Sequence, residues 1–68
     1  MRLITHLPEY RKKAGLTQAQ LGEAAGVSRK TINTIENRVF IPSTVLALKL
    51  AKVLNISIHD LFELEEGE

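Results

Sequence analysis

Thr17-Gln18-Ala19-Gln20-Leu21-Gly22-Glu23-Ala24-Ala25-Gly26-Val27-Ser28-Arg29-Lys30-Thr31-Ile32-Asn33-Thr34-Ile35-Glu36 is the stretch whose reading decides the fold. It contains two short helical patterns with only a glycine-centred turn between them. Thr17 is placed to cap the first, with Gln20 three residues on as its capping-box partner. Leu21 and Ala24 or Ala25 supply the buried stripe of that helix. It stops before Gly26, where a sharp turn favours positive φ. Ser28 caps the second pattern, whose apolar stripe is Ile32 and Ile35, with Val27 beneath the turn. Arg29 and Lys30 follow the cap at once. Cations at a helix N-terminus oppose the macrodipole, at roughly 0.3–1 kcal/mol each. Two in succession there point to a use other than helix stability.

Three more helices fit around this pair. The first runs from about His6 to Ala14, with Thr5 as its cap and Pro8 in a turn where no N–H is needed. Its apolar positions are Leu7, Tyr10 and Ala14, and Gly15 follows at C′. After the second pattern, Arg38-Val39-Phe40-Ile41-Pro42 reads as a loop. Its apolar character predicts that it folds back over the core, and Pro42 disfavours helix at Ile41. Ser43 caps a helix over residues 44–54 with Leu46, Ala47, Leu50, Ala51 and Leu54 inward, and Asn55 terminates it left-handed. Ser57 caps a short fifth helix containing Ile58, Leu61 and Phe62. Both ends alternate in the strand manner, Arg2-Leu3-Ile4 and Phe62-Glu63-Leu64-Glu65, and can pair as a short two-stranded β-ribbon. The expected fold class is therefore all-α, with five helices in one domain over residues 1–68.

Composition narrows the function. A chain of 68 residues buries only about 60% of its unfolded surface, so a second copy would add needed stability. It has no cysteine, which excludes disulfides and thiolate metal sites and favours a reducing, cytoplasmic setting. No apolar run approaches the roughly 20 residues of a membrane helix, and Met1–Pro8 is too short and polar for a signal peptide. His6 and His59 stand apart from any acid cluster, so no metal is expected. No phosphate loop, nucleophile–base set or carboxylate pair is present. No cofactor and no enzymatic activity are expected from a chain without room for a catalytic cleft. The charges are segregated: all nine Lys/Arg lie in residues 1–55 with three of the eight acids, while the other five acids lie in residues 56–68. A basic body suits phosphates, and the acidic tail is expected to point away from them.

Two helices about a tight turn, the second opening on cations, form the DNA-binding helix-turn-helix pattern at about residues 17–37. There the second helix enters the major groove with its N-terminal residues at base edges. The wider pattern is Arg11-x-x-x-Gly15-Leu16-Thr17-Gln18-x-x-Leu21-x-x-x-x-Gly26-Val27-Ser28-x-x-x-Ile32-x-x-Ile35-Glu36-Asn37. Pro42-Ser43 and Ala47-Leu48-Lys49-Leu50-Ala51-Lys52-Val53-Leu54 follow. Together they resemble the lambda-repressor-like Cro/Xre family of bacterial and phage regulators, over about residues 7–62. The short tail is similar to that of small free-standing members, which bind DNA as homodimers. Arg38 departs from the family pattern, which usually has Gly there. Either Asn37 takes the left-handed cap or the helix runs one residue further.

Arg29 can grip guanine O6 and N7 with two hydrogen bonds. The resemblance places base readers at Arg29, Lys30 and Thr34, with Asn33 a lesser candidate. It implies that Gln18 binds phosphate and braces the first base reader, and that Asn37 binds phosphate. Thr17 and Ser28 are caps that can also meet phosphates, and Arg38 can add a charged contact. Arg11 and Glu36 are implied to form a structural ion pair between the first and third helices. Ile56, Ile58, Leu61, Phe62 and Leu64, at about residues 56–65, lie at the end that faces a two-fold axis in the family; plain core packing is their alternative use.

The expected function is sequence-specific regulation of transcription on double-stranded DNA. A homodimer acting as a repressor would set its recognition helices about 34 Å apart on a near-palindromic operator. An antitoxin, restriction-modification controller or phage switch protein would share the DNA site. A protein-interaction module would reuse the fold without DNA.

Overall fold

A computed structural model describes residues 3–65. Arg2, expected in the ribbon, and Glu66 and Glu68 of the acidic tail lie outside the described residues. The chain runs β1 (Leu3–Thr5), α1 (Leu7–Lys13), α2 (Gln18–Ala25), α3 (Arg29–Glu36), α4 (Thr44–Leu54), α5 (Ile58–Leu61) and β2 (Phe62–Leu64). β1 and β2 pair antiparallel, with Leu3 opposite Leu64 and Thr5 opposite Phe62. The ribbon thus ties the two ends of the described chain together beside α5. Leu7, Leu21, Ile32, Ile35, Leu50 and Leu61 are fully buried, one or more from each helix. Burying each such side chain is worth about 1.5–3 kcal/mol, and no element has a core of its own.

The expected caps form. The Thr17 hydroxyl accepts from the Gln20 N–H at 3.0 Å, and the Gln20 carboxamide oxygen accepts from the Thr17 N–H at 2.9 Å. Ser28 and Ser43 accept from the N–H groups of Thr31 and Leu46. Gly26 and Asn55 close α2 and α4 in the left-handed region, at φ 77° and 55°. Of the two alanines that could line α2, Ala25 is buried and Ala24 exposed.

Three expectations change. α1 begins at Leu7, with His6 at the cap position and no side-chain cap bond there. Thr5 still accepts from the Leu7 N–H at 3.2 Å, but from one residue further back, because it belongs to β1 and the chain passes from strand to helix in a single step. Phe62 leaves α5 and begins β2 while staying in the core. The loop after α3 covers the core only in part: Phe40, Ile41 and Pro42 line a cavity with Ile35 and Phe62, but Val39, Phe40 and Ile41 are 78%, 46% and 69% exposed. Its backbone is held elsewhere, since the N–H groups of Val39 and Phe40 both donate to the Thr34 carbonyl, at 2.9 and 3.2 Å.

Candidate nucleic-acid interface

The turn between α2 and α3 determines where α3 points. Gly22 is buried in the middle of α2, although glycine there costs about 1 kcal/mol relative to alanine. The reason is close approach: a Cβ on Gly22 would sit 2.7 Å from the Val27 carbonyl oxygen and 3.2 Å from Ser28 backbone atoms. The turn packs directly onto the bare backbone of α2. Gly22 had no role in the sequence reading, yet an interior helical glycine is itself a signal of such packing.

Arg29 and Lys30 open α3 and are both exposed. Among the described residues neither side chain takes part in a hydrogen bond or ion pair. Thr34 lies one turn beyond Lys30, half-buried, and its hydroxyl donates to the Thr31 carbonyl at 2.9 Å. With the hydroxyl hydrogen engaged by its own helix, Thr34 keeps its methyl and an accepting oxygen as contact groups.

Behind this face runs a continuous polar network. Arg11 Nε donates to Glu36 Oε2 at 2.7 Å and Nη2 to Oε1 at 3.3 Å, with side-chain exposures of only 13% and 6%. Arg11 Nη1 also donates to the Leu16 carbonyl at 3.0 Å. The expected pair between α1 and α3 is thus present and bidentate, the geometry in which arginine binds carboxylate most strongly. Gln18 Nε2 donates to Glu36 at 2.9 Å, Asn33 Nδ2 donates to Gln18 Oε1 at 3.3 Å, and Asn37 Nδ2 donates to Asn33 Oδ1 at 3.1 Å. Gln18 therefore braces Asn33 rather than Arg29. The Gln18 and Asn33 amides are each engaged at both ends, and each retains one N–H for an outside acceptor.

Thr17 and Ser28 are exposed at the starts of α2 and α3, and Asn37 is exposed at the C-cap of α3. Neither expected solution for the missing glycine is adopted. Asn37 has φ −89°, α3 ends at Glu36, and Arg38 itself enters the left-handed region at φ 63°. The turn geometry is imposed by the next residues, whose N–H groups must reach back to Thr34. Arg38 is exposed beside that turn. Val39 and Phe40, which were expected over the core, line a shallow cleft with Lys30, Thr31 and Thr34, and Phe40 also faces Ile35 and Phe62. An apolar triplet before a proline carries no local signal separating these two fates.

Of the residues expected at a dimer interface, Leu61 and Phe62 are 0% and 7% exposed within the single chain. They have little surface to offer a second copy. Ile56 and Ile58 are half-buried, and Leu64 is 57% exposed. Among the described residues no group of His, Cys, Asp and Glu is arranged to hold a metal, and no helix is long and apolar enough to cross a membrane.

A helix-turn-helix family model matches residues 8–61. The chain is 43% identical over 58 residues to the uncharacterised HTH-type transcriptional regulator YgzD of Bacillus subtilis, covering 85% of this chain and 88% of that protein. Among solved structures, it is similar to the restriction-modification controller protein C.AhdI from Aeromonas hydrophila. That match has a TM-score of 0.76 at 33% identity, over 79% of this chain and 82% of the other. The N-terminal DNA-binding domain of SinR from Bacillus subtilis matches with a TM-score of 0.76 at 33% identity, over 91% of this chain and 90% of that one. SinR, the master regulator for biofilm formation, also matches in complex with DNA, with a TM-score of 0.73 at 33% identity over 78% of this chain and 86% of that one.

Proposed function

The chain belongs to the helix-turn-helix family of DNA-binding transcriptional regulators, and from that premise we propose that it is a homodimeric, sequence-specific repressor. The observation that carries this reading is the exposed Arg29–Lys30 pair on a helix locked from behind by the Arg11–Glu36 bridge. A rigid support limits the ordering cost when the two cations engage DNA. Arg29, Lys30 and Thr34 read bases. Gln18, through its remaining N–H, contacts phosphate with Thr17, Ser28, Asn37 and Arg38, fixing register. A second copy joined through Ile56, Ile58 and Leu64 presents two such surfaces to an inverted repeat. The protein acts in the cytoplasm by occupying DNA, without catalysis, cofactor or metal.

The likeness to a restriction-modification controller favours one variant of this reading, in which the regulated genes belong to such a system; the DNA site is the same. Selection of bound fragments from random duplex DNA tests the proposal. The expected product is an inverted repeat with half-sites about 34 Å apart, bound by two chains in sedimentation. Log affinity should fall with log salt by about 0.9 per phosphate engaged. Selection without enrichment, together with salt-independent binding, would leave a protein-interaction module as the better reading.

A further inference from the structure

The cleft formed by Val39 and Phe40 lies against the recognition helix, and that position gives it a use besides packing. Val39 and Phe40 expose apolar side chains beside Lys30, Thr31 and Thr34. They are held there by two backbone hydrogen bonds onto the Thr34 carbonyl. A short loop fastened at two successive residues moves with α3, so whatever α3 approaches this cleft approaches too. The flanking groups are one cation and two threonines, whose hydroxyls are turned toward α3 or its cap: Thr34 to the Thr31 carbonyl and Thr31 to Ser28. The cleft is thus apolar on the loop side, and Thr34 adds its methyl beside a hydroxyl that can only accept.

We propose that Val39 and Phe40 are specificity-determining residues that receive a thymine C5-methyl group beside the base pair read by Lys30. The inference rests on the DNA reading above. The thymine methyl is the one apolar group on a major-groove base edge, and alanine, threonine methyl and phenylalanine are its usual partners. Lys30 at the rim places the phosphate-rich duplex, rather than a neutral protein surface, opposite the cleft. The polar half of the recognition surface then reads donors and acceptors, while the loop reads shape.

The test begins with the operator obtained by selection. Each thymine is replaced in turn by deoxyuridine, which deletes only the methyl group, and affinities are measured for the wild type, Phe40→Ala and Val39→Ser. Val39 is largely exposed, so its variant should fold even if Phe40→Ala does not; circular dichroism checks both. In the wild type, one thymine per half-site should lose about fourfold in affinity on methyl removal, the factor for burying one methyl-sized group. That penalty should vanish in either folded variant, while penalties at other thymines remain. An operator bound tightly with no loop-dependent thymine would overturn the inference and leave the DNA reading intact. So would a loss of dimerisation in both variants with all thymine penalties unchanged, which would assign the loop to contact between copies. If no operator is selected, both the DNA reading and this inference fail.

Discussion

Arg38 holds a conformation that suits glycine, at φ 63°, and replacing it separates the fold from the function. A left-handed backbone costs an ordinary L-residue roughly 1–2 kcal/mol. Glycine avoids that cost but surrenders about 0.4–1 kcal/mol through the greater freedom of its unfolded chain. The Arg38 N–H donates to the Ile35 carbonyl at 3.1 Å, a bond that any residue but proline keeps. Its exposed side chain contributes little to stability, so Arg38→Gly should stabilise the domain by about 0.5–1 kcal/mol as the difference of the two terms. For a domain of this size 1 kcal/mol shifts Tm by roughly 4–8 °C, so the expected rise is about 2–8 °C. Arg38→Ala serves as the control, because it deletes the same guanidinium but keeps the strain; its Tm should stay near that of the wild type. On operator DNA the two variants should lose affinity together, each with a salt slope reduced by about one phosphate. Thermal denaturation followed by circular dichroism reads the first effect and a fluorescence titration the second. If Arg38→Gly melts at or below Arg38→Ala, the left-handed turn carries no strain and the account of this corner is wrong.

The Arg11–Glu36 bridge predicts that Arg11→Ala costs about 3–5 kcal/mol, by stranding a buried carboxylate, whereas Lys12→Ala on the exposed face stays within about 0.5 kcal/mol; urea denaturation of the two should give clearly different midpoints. Since a domain of this length has only about 3–10 kcal/mol of stability in total, Arg11→Ala is expected to be partly unfolded at 37 °C. Gly22→Ala gains about 1 kcal/mol of helix propensity but meets backbone atoms that cannot rotate away. A net loss of stability is expected, with a further loss of DNA affinity in the folded fraction, and equal or higher stability would mean that the turn is not packed onto α2. Arg29→Ala should relax discrimination at particular base pairs by about 1–3 kcal/mol, measured by repeating the selection, and an unchanged preferred operator would move base reading elsewhere.

Features specified within three or four residues of chain were legible in the sequence. Thr17 with Gln20, Ser28, Ser43, Gly26 and Asn55 each determine a helix end through their own backbone or the next turn, and each appears where its chemistry places it. The terminal ribbon was also legible, because alternation survives even in three-residue strands. What escaped depends on parts distant along the chain or on several bonds acting together. Gly22 is required by the Val27 carbonyl across the turn, and helical periodicity alone does not record that approach. Gln18 could have faced a phosphate or its own protein. It bonds within its own protein to Glu36, eighteen residues away and already paired with Arg11, and keeps one N–H outside that network. The loop was misjudged for a related reason. Apolar content argued for burial, but the Thr34 carbonyl captured two N–H groups and Arg38 accepted a costly φ to permit it. The bonds that fix Val39 and Phe40 hold them against the recognition helix. The exposure of this apolar segment therefore follows from a tether that specifies its position, and a fixed apolar surface beside Lys30 and Thr34 has a geometry that a selected operator can report.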